Sequence, residues 1–502
     1  MTLESSLFDT FPITIFNSLT RRKEAFQPIA SPLVGLYVCG PTMYGDPHLG
    51  HARSAVVYDT VFRYLRALGY QVRYVRNITD VGHLENELDE SGEDKVSKKA
   101  RAERLEPMEV VQTYTYRYHD ALRQLNVLPP SIEPIASGHI PEQIETIRKI
   151  IDHGFAYEEN GSVYFDLEKY AKEQPYGQLS GKVLDDLRTG SRQTEGLDEK
   201  RSPHDFALWK KAYPQHIMRW SSPWGEGFPG WHLECTAMST KYLGETFDIH
   251  GGGLDLQFPH HEAEIAQNQA AFHTHPARYW MHNNLVTVDG QKMSKSLNNF
   301  ITLEEFFSGE HERLEQAYSP MTVRFFMLQA HYRSPLDFSN EALQAAERGL
   351  KRLLNARQLL SELKHQSGPV DEAADQQIRD LGAACYRQMS DDFGTPQTIA
   401  TLFELSAKIN ALHQQQLFIA ADTFDYLKET FGRFVDDVLG LTSEKKDDSQ
   451  LTDSLVQLLI DTRREARAKK DFATSDLIRD QLAALGVQLK DEKSGETTYT
   501  LP

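Results

Sequence analysis

The feature that most constrains the fold is a strand–helix–strand pattern near the beginning of the chain. Gly35–Gly40 is a short apolar run closed by glycine, and Tyr70–Ile78 is a second strand-like run. Between them, Gly50–Leu68 carries apolar residues at helical spacing and ends at Gly69. Two such strands joined through a helix must run parallel, with a right-handed crossover. We therefore expect an α/β fold built on a doubly wound parallel sheet.

The rest of the chain divides by composition. Prolines punctuate residues 126–222, which we interpret as an insertion into the sheet domain. From about Asn340 to Leu439, leucines recur at heptad-like spacing with little glycine, and this pattern predicts a helical bundle. The charged run Glu444–Ser449 predicts a linker. A basic helix and two short strand-like segments, Gly486–Leu489 and Thr497–Thr500, then predict a small α/β module.

The overall charge limits the kinds of binding partner that this chain is expected to have. The chain has 54 Lys and Arg against 72 Asp and Glu, a formal charge of −18. This balance argues against bulk, non-specific nucleic-acid binding, although a local basic surface remains compatible with it. The charge-rich segment Glu85–Glu106 is predicted to be a solvated loop or helix. No run approaches the roughly 18 apolar residues needed to span a bilayer, so no membrane association is expected.

The cysteines indicate a reducing compartment. There are three, Cys39, Cys235 and Cys385, and an odd count argues against a disulfide framework. Met1–Ile15 lacks the basic-then-apolar pattern of a signal peptide. We therefore expect a cytoplasmic protein, in which Cys385 contributes to helix packing.

A histidine-containing loop follows the first predicted strand. In Pro41–His51, His48 and His51 fall at positions i and i+3, so both imidazoles can face one site. Gly50 lies between them and lets a flat ligand approach the backbone. Helix N-termini at the carboxyl edge of a parallel sheet attract phosphate, and imidazoles there can donate hydrogen bonds to an anionic transition state. The alternative is a pair of ordinary surface histidines in a tight turn.

A second loop carries the sequence Lys292-Met293-Ser294-Lys295-Ser296. Two lysines and two hydroxyls within five residues suit a mobile clamp on polyphosphate, because lysine acts as a point charge and hydroxyls satisfy the remaining oxygens. The alternative is a solvated charged loop. Together, the histidine loop and the lysine loop resemble the two signatures of class I aminoacyl-tRNA synthetases.

A set of sulfur, nitrogen and oxygen donors suggests a metal site. Cys39 ends the first strand, Cys235 follows Trp231 by four residues, and His260 and Glu264 share one helical face. Such a set suits Zn²⁺, which accepts all three donor types. The alternative is that both cysteines are small buried hydrophobic side chains.

Longer segments resemble the bacterial cysteinyl-tRNA synthetases over nearly the whole chain. They are Tyr37–Thr42, His48–His51, Tyr74–Asp80, Pro229–Cys235, Phe247–Gly253, Asp255–Glu262 and Lys292–Ser296. The resemblance departs at Val81–Leu84, which replaces an acidic-then-lysine stretch and receives no role. It also departs at Phe472, where many relatives have tryptophan.

The resemblance implies roles for individual residues. The implied ligands of one Zn²⁺ per subunit are Cys39, Cys235, His260 and Glu264. The implied catalytic residues are His48, His51, Lys292 and Lys295, and ATP, bound with Mg²⁺, contacts Thr42, His48, Gly50, His51 and Lys295. The implied substrate-binding residues are Gly40, Thr42, Thr79, Trp231, His250 and Asp255.

The resemblance also implies a division of the chain. It gives a Rossmann catalytic domain in two halves (12–125 and 223–267), a connective insertion (126–222), a region with the lysine loop and stem contacts (268–338), a tRNA-binding helical bundle (339–445) and an anticodon-binding module (446–502). The implied activity is ATP-dependent activation of L-cysteine and its transfer to tRNA(Cys) by a monomeric enzyme. The basic run Arg463–Lys470 and Phe472 would contact the tRNA; the alternative is a solvated helix face.

The zinc would act as a selectivity device. A pocket gains only about 1–3 kcal/mol from the difference between cysteine and serine or alanine, whereas a soft thiolate is a far better ligand than a hydroxyl. Two other functions use related motifs. One is a ligase that joins cysteine to an amino-sugar, which would lack the anticodon-binding end. The other is a non-catalytic zinc- or nucleotide-binding paralogue, for which His48, His51, Lys292 and Lys295 would have no use.

Overall fold

The computed structural model describes residues 6–86, 91–182, 199–214, 216–293, 299–443, 448–491 and 497–500. The chain forms two compact units, residues 1–442 and 443–502. No helix in the described ranges combines the length and the apolar character needed to cross a bilayer.

Strands and helices alternate through the first half, and helices dominate the second. The strands are β1 (Thr14–Asn17), β2 (Arg22–Ala25), β3 (Leu33–Val38), β4 (Gln71–Arg76), β5 (Leu84–Asn86), β6 (Ser91–Asp94), β7 (Ala156–Glu159), β8 (Ser162–Phe165), β9 (Phe206–Lys211), β10 (Trp220–Ser222), β11 (Gly225–Pro229), β12 (Phe247–Gly253), β13 (Ala277–Asn283), β14 (Val286–Val288), β15 (Gln291–Lys292), β16 (Leu336–Phe338), β17 (Gln488–Asp491) and β18 (Thr497–Thr500). The helices are α1 (Leu7–Thr10), α2 (Leu49–Ala67), α3 (Lys95–Glu103), α4 (Pro107–Gln124), α5 (Ile140–Asp152), α6 (Leu167–Glu173), α7 (Trp231–Leu243), α8 (His260–Phe272), α9 (Leu303–Ser308), α10 (Pro320–Leu328), α11 (Asn340–Glu362), α12 (Glu372–Ser390), α13 (Thr395–His413), α14 (Ala421–Gly432), α15 (Asp448–Ala468) and α16 (Phe472–Ala484).

The central sheet has four parallel strands in the order β4-β3-β12-β13. The chain leaves β3 toward one side through α2 and returns on the other side at β12, so the order reverses between these two strands. Ligands bind at such a switch point, outside the carboxyl ends of the strands. The expected α/β fold with a parallel sheet is therefore confirmed, and β3, α2 and β4 match the predicted strand–helix–strand pattern within two residues at every end.

Helix α2 is buried on nearly every side. The residues that supplied its apolar pattern, Val56, Val57, Phe62 and Leu65, are at most 7% exposed. The helix packs against the sheet, α10 and the π-helical turn Arg433–Val438. This packing holds α2 with its half-buried N-terminus at the carboxyl edge of the sheet.

An antiparallel sheet forms the core of the insertion, with strand order β10-β11-β9-β8-β7. Its last strand, β11, lies beyond residue 222 because Gly227–Pro229 pairs with Trp209–Lys211. Similarly, β13 belongs to the central sheet although it lies beyond residue 267. At both places the hydrogen-bonded pairing extends beyond an expected boundary: the one at residue 222, suggested by composition, and the one at residue 267, implied by the resemblance.

The charge-rich segment Glu85–Glu106 is only in part the expected solvated loop or helix: α3 is a helix and residues 101–106 are exposed, but a hairpin precedes it. Leu84 pairs with Asp94 in the hairpin β5–β6, and α3 follows directly. Val96 and Ala100 are buried in the main core. The hairpin escaped prediction because charged side chains obscured the strand alternation.

The helical bundle predicted for the second half is present as α11–α14. Along α11, Leu343, Leu350, Leu353 and Leu360 are buried, which is the periodicity that predicted it. Cys385 on α12 is fully buried and contributes to packing, as expected.

The second unit contains α15 and α16 and the hairpin β17–β18 around a small core, Val456, Ile460, Leu482 and Val487. The basic run Arg463–Lys470 is not uniformly exposed. Arg463 is 4% exposed, whereas Arg464 and Lys470 lie on the surface. Phe472 is 61% exposed.

Candidate active site

Four donor side chains meet at the carboxyl edge of the sheet, beside the switch point. Cys39 follows β3, Cys235 lies on α7, and His260 and Glu264 lie one turn apart on α8. The two sulfurs are 3.4 Å apart, and His260 Nε2 is 3.4 Å from the Cys235 sulfur. Glu264 Oε1 is 3.3 Å from His260 Nε2 and 3.6 Å from the Cys39 sulfur. The tertiary fold thus brings together residues that are up to 225 positions apart in the sequence.

These separations fit one zinc ion. Metal–ligand bonds of about 2.3 Å to sulfur and about 2.0–2.1 Å to nitrogen place tetrahedral ligand atoms about 3.3–3.8 Å apart. The four ligand atoms all lie within 4.8 Å of one another. A disulfide is excluded, because its sulfurs would be only about 2.05 Å apart. The donor set therefore has both the chemistry and the spacing that Zn²⁺ requires.

The electrostatics of the cluster depend on burial. Burial raises the pKa of the Cys39 thiol well above its usual value, and the neighbouring Cys235 and Glu264 raise it further. Burial also raises the pKa of Cys235. Burial and the imidazoles of His232 and His250 hold the pKa of His260 well below its usual value. Two thiolates and a carboxylate are stable together here only with a compensating cation.

A second, overlapping donor set shares two members with the first. Cys39, His250, His261 and Glu264 also have ligand atoms within 4.8 Å of one another. His261 Nε2 is 3.3 Å from the Cys39 sulfur, and its Nδ1 is 2.9 Å from His282 Nε2. Sequence reasoning missed His261 and His282. The adjacent pair His260-His261 was the available signal, but neighbouring helix positions point in different directions, so no spacing rule selected both.

The histidine loop caps α2. His48 is the N-cap residue, and its Nδ1 accepts a hydrogen bond from the Gly50 N–H at 3.0 Å. His51 Nδ1 accepts from the His48 N–H at 3.4 Å, and the two rings are 3.9 Å apart. Because each Nδ1 accepts, each ring carries its proton on Nε2. A Cβ at Gly50 would lie 2.8 Å from His48 Cε1, so a larger residue there would displace the His48 ring.

His51 acts as a neutral donor near neutral pH. Burial lowers the pKa of His51 to about 4. An uncharged imidazole with a proton on Nε2 donates one hydrogen bond without adding charge. The N-terminus of α2 contributes its oriented N–H groups at the same place.

A cavity of about 370 Å³ joins the donor cluster to the histidine pair. It is lined by eight of the residues that the sequence assigned to a site: Cys39, Gly40, Thr42, His48, Gly50, His51, Trp231 and Asp255. Sequence reasoning did not select Arg76, His83, Lys95 or Asn283, which also line it. The cavity is thus bordered by donor atoms at one end and by a helix N-terminus at the other.

Two residues implied to bind substrate lie behind the cavity wall. The Thr79 hydroxyl donates to Glu234 Oε2 at 3.0 Å, and Thr79 is 2% exposed. His250 is fully buried, with Nε2 2.8 Å from Glu264 Oε2. The His250 side chain thus contacts the proposed ligand Glu264, whereas the Thr79 hydroxyl bonds to Glu234.

The lysine loop begins and ends at the cavity. Met293 and Phe300 both line it, and the Phe300 ring packs edge-on against His48 at 4.9 Å. Lys292 belongs to β15, which pairs with β14. Ser294–Asn298, including Lys295, lie outside the described residues, as does the side chain of Lys292. The described residues on either side of this segment, Met293 and Phe300, thus both lie at the cavity, and Phe300 lies beside His48.

Comparison with known families covers most of the chain. Residues 25–348 match the catalytic domain of class I (C) tRNA synthetases. Residues 384–442 match the DALR domain, and residues 451–497 match the cysteinyl-tRNA ligase anticodon binding domain. A cysteine–tRNA ligase of Porphyromonas gingivalis is 59% identical over 488 residues, which cover 96% of this chain and 98% of that protein. The chain belongs to the cysteine–tRNA ligase family.

A less similar relative and two solved structures agree with this family and its fold. The cysteine–tRNA ligase of Chlorobaculum tepidum is 49% identical over 498 residues, covering 96% of this chain and 98% of that protein. Among solved structures, the methionyl-tRNA synthetase of Mycobacterium tuberculosis in complex with methionyl-adenylate has a TM-score of 0.55 at 13% identity, covering 81% of this chain and 89% of that one. The LeuRS–tRNA–LeuAMS complex of Agrobacterium radiobacter has a TM-score of 0.56 at 12% identity, covering 82% and 85%. These structures share the fold of the class I synthetases.

Family membership settles the class of enzyme. The resemblance to cysteinyl-tRNA synthetases is confirmed, and the protein is a class I aminoacyl-tRNA synthetase. The amino-sugar ligase and the non-catalytic paralogue are both set aside, because an anticodon-binding domain is present and the relatives are ligases.

Proposed function

We propose that this cysteine–tRNA ligase selects its amino acid through one Zn²⁺ held by Cys39, Cys235, His260 and Glu264. The observation that carries the proposal is the convergence of these four ligand atoms within 4.8 Å, at one end of the cavity. When bound, the ion favours the deprotonated sulfur of L-cysteine over the harder, less acidic hydroxyl of serine. A shape-based pocket would supply only about 1–3 kcal/mol for the same choice.

The first set of donors is preferred over the set that contains His250 and His261. Cys235 occurs only in the first set, and a second thiolate is a strong zinc ligand. In the other set, His250 is committed to Glu264 Oε2 and His261 to His282. These contacts leave His250 and His261 to support the ligands, with Glu264 Oε1 directed at the cluster.

ATP, bound with Mg²⁺, occupies the other end of the cavity in this proposal. Thr42, Gly50 and the N-terminus of α2 border the nucleotide, and His48 and His51 donate from Nε2 to its phosphates. Lys292 and Lys295 are the proposed phosphate-binding lysines, as the resemblance implies. Asp255, Trp231, Gly40 and Thr42 border the amino acid, so that Thr42 lies between the amino acid and the nucleotide. Thr79 and His250 support these residues from behind.

The reaction then proceeds in two steps. The carboxylate of cysteine attacks the α-phosphate of ATP, which gives cysteinyl-adenylate and pyrophosphate. The terminal ribose hydroxyl of tRNA(Cys) attacks the adenylate carbonyl, which gives cysteinyl-tRNA and AMP. No covalent enzyme intermediate is needed, so catalysis consists of positioning and charge stabilisation.

The second unit and the bundle are proposed to bind tRNA(Cys). The exposed side chains of Arg464, Arg467, Lys469 and Lys470 would contact phosphates, while Arg463 is buried in the unit. The exposed Phe472 offers a ring on which an unstacked anticodon base can stack. The domain roles given above from residue 268 onward belong to the same proposal, as do a monomeric state and a cytoplasmic location.

Cysteine-dependent ATP–pyrophosphate exchange tests the proposal. We expect exchange with L-cysteine and not with L-serine, loss of exchange after zinc is removed by chelation, and recovery when zinc is restored. Lys295→Ala should slow adenylate formation with little change in cysteine binding, and the exposed Lys351→Ala is the matched control. Full cysteine selectivity in zinc-free protein would contradict the proposal.

A further inference from the structure

The segment that received no role from the sequence, Val81–Leu84, brings a histidine to the cavity wall. Gly82 has a φ of +82°, and a Cβ there would lie 2.6 Å from the carbonyl oxygen of Pro229, so only glycine fits this turn. The turn leads His83 into the hairpin β5–β6, where its carbonyl accepts the Lys95 N–H at 3.0 Å. His83 is 8% exposed, and both His83 and Lys95 line the cavity.

The His83 ring stacks on Trp231. The ring centroids are 4.1 Å apart and the planes differ by 6°. Trp231 also lies 4.4 Å from the ring of His260, one of the proposed zinc ligands. One indole therefore separates His83 from the metal cluster, and the orientation of that indole depends on the stack.

Both ring nitrogens of His83 have polar contacts. Nε2 is 2.6 Å from Lys95 Nζ, and Nδ1 is 2.5 Å from Thr42 Oγ1. An ammonium group only donates, so Nε2 accepts from Lys95 and the ring proton lies on Nδ1. His83 then donates this proton to the hydroxyl of Thr42. Lys95 thus sets the tautomer that His83 presents to Thr42.

We propose that His83 is a positioning residue for the amino acid: its stack on Trp231 and its hydrogen bond to Thr42 hold two walls of the amino-acid end of the cavity. This inference rests on the proposed amino-acid site. Lys95 acts through His83, by fixing the tautomer of the imidazole. A residue that holds the binding walls changes the KM for cysteine more than it changes kcat or the KM for ATP.

Two variants separate the stack from the hydrogen bonds. His83→Phe keeps a ring against Trp231 and removes both polar contacts, whereas His83→Asn keeps a polar group and removes the stack. His139 is the matched control, because it is also 8% exposed and both of its nitrogens have partners, the Ile135 carbonyl and the Tyr242 hydroxyl. It is not among the described residues that line the cavity.

Steady-state pyrophosphate exchange measures kcat and the KM values for cysteine and ATP in each variant. We expect each His83 variant to raise the KM for cysteine about tenfold, with kcat and the KM for ATP within about twofold of wild type. His139→Phe should leave all three constants unchanged. Lys95→Met should raise the KM for cysteine less, and the double variant His83→Phe/Lys95→Met should be no worse than His83→Phe alone.

Several outcomes would overturn the inference. Wild-type KM values for cysteine in both His83 variants would do so, as would a fall in kcat at unchanged KM, which marks a merely structural role. Additive effects of His83→Phe and Lys95→Met would show that Lys95 acts independently. Zinc content measured on the same preparations keeps the two proposals distinct. A zinc-free, active wild type contradicts the zinc proposal and still provides the cysteine KM for the comparison.

Discussion

His250 and Glu264 form a buried pair, with Nε2 2.8 Å from Oε2 and neither side chain more than 1% exposed. The imidazole donates to one carboxylate oxygen and thereby directs the other, Oε1, toward His260 and Cys39. Such contacts fix the orientation of a metal ligand and raise its affinity for the metal.

Replacing His250 should therefore weaken metal binding without removing a ligand. We expect His250→Ala to reduce zinc affinity about 10–100-fold, because Glu264 loses the donor that orients it. Competition with a chromophoric chelator measures the affinity independently of activity. His250→Gln, which retains a donor, should lie between Ala and wild type. Unchanged zinc affinity in His250→Ala would refute the supporting role.

Cys235 and His261 discriminate between the two overlapping donor sets. Cys235→Ser should lose bound zinc and should erode discrimination against serine or abolish activation, because a hydroxyl replaces a thiolate ligand. His261→Gln should retain zinc. Cys385→Ser is the control, since it also removes a buried thiol, but from the helical bundle. Elemental analysis measures the zinc content of all three variants. The opposite pattern would assign the metal to Cys39, His250, His261 and Glu264.

A buried ionic cluster links α2 to the end of the first unit. Arg324 and Asp59 are fully buried, 2.5 Å apart, and Arg324 also donates to the Leu439 carbonyl at 2.8 Å. Arg324→Met should lower the free energy of unfolding by about 3–5 kcal/mol, because the buried Asp59 loses one of its two cationic partners among the described residues and keeps Arg63. Urea denaturation measures the change.

The control for this change is an exposed pair of the same kind. Arg123 and Asp120 have side chains that are 73% and 58% exposed. Arg123→Ala should change the free energy of unfolding by less than about 0.5 kcal/mol. Equal effects of Arg324→Met and Arg123→Ala would contradict a stabilising role for burial of the cluster.

The depressed pKa of His51 predicts a pH dependence of stability. The folded pKa is about 4 against an ordinary value of 6.5, because burial disfavours the charged ring. The unfolded chain therefore binds one more proton between these values, and the stability that neutral His51 allows is present above pH 6.5 and is lost as the pH falls toward 4. Within that window, the free energy of unfolding should increase with pH less steeply in His51→Gln than in the wild type. The difference in slope should be about 1.4 kcal/mol per pH unit. Denaturant titrations at several pH values measure it; parallel slopes for the two proteins would show that His51 is not buried as a neutral ring.

Local patterns accounted for much of the fold. The strands and helix around Gly35–Ile78 and the leucine spacing of α11 are short-range signals, and they predicted the elements well. Strand pairing is long-range, so β11 and β13 lie beyond the expected boundaries at residues 222 and 267. The β5–β6 hairpin was missed for a related reason, because its pairing had no alternating apolar pattern to mark it.

Residue type alone suggested part of the candidate site. The cysteines, the histidine–glutamate pair at i and i+4 and the lysine–serine loop each suggested a chemistry, and the family resemblance favoured that chemistry over the structural alternatives. His83, Lys95, His261 and His282 have roles that arise from contacts across the fold, such as the stack of His83 on Trp231. Their positions in the sequence carry no spacing that marks those contacts.

The most direct test of the account asks whether the ion bonds to the substrate. X-ray absorption at the zinc edge counts sulfur ligands at about 2.3 Å, before and after L-cysteine is added to the zinc-loaded protein. We predict two sulfur ligands in the free protein, a third on addition of cysteine, and no change with serine. A sulfur count that stays at two when cysteine is bound would contradict selection of the amino acid through its thiolate.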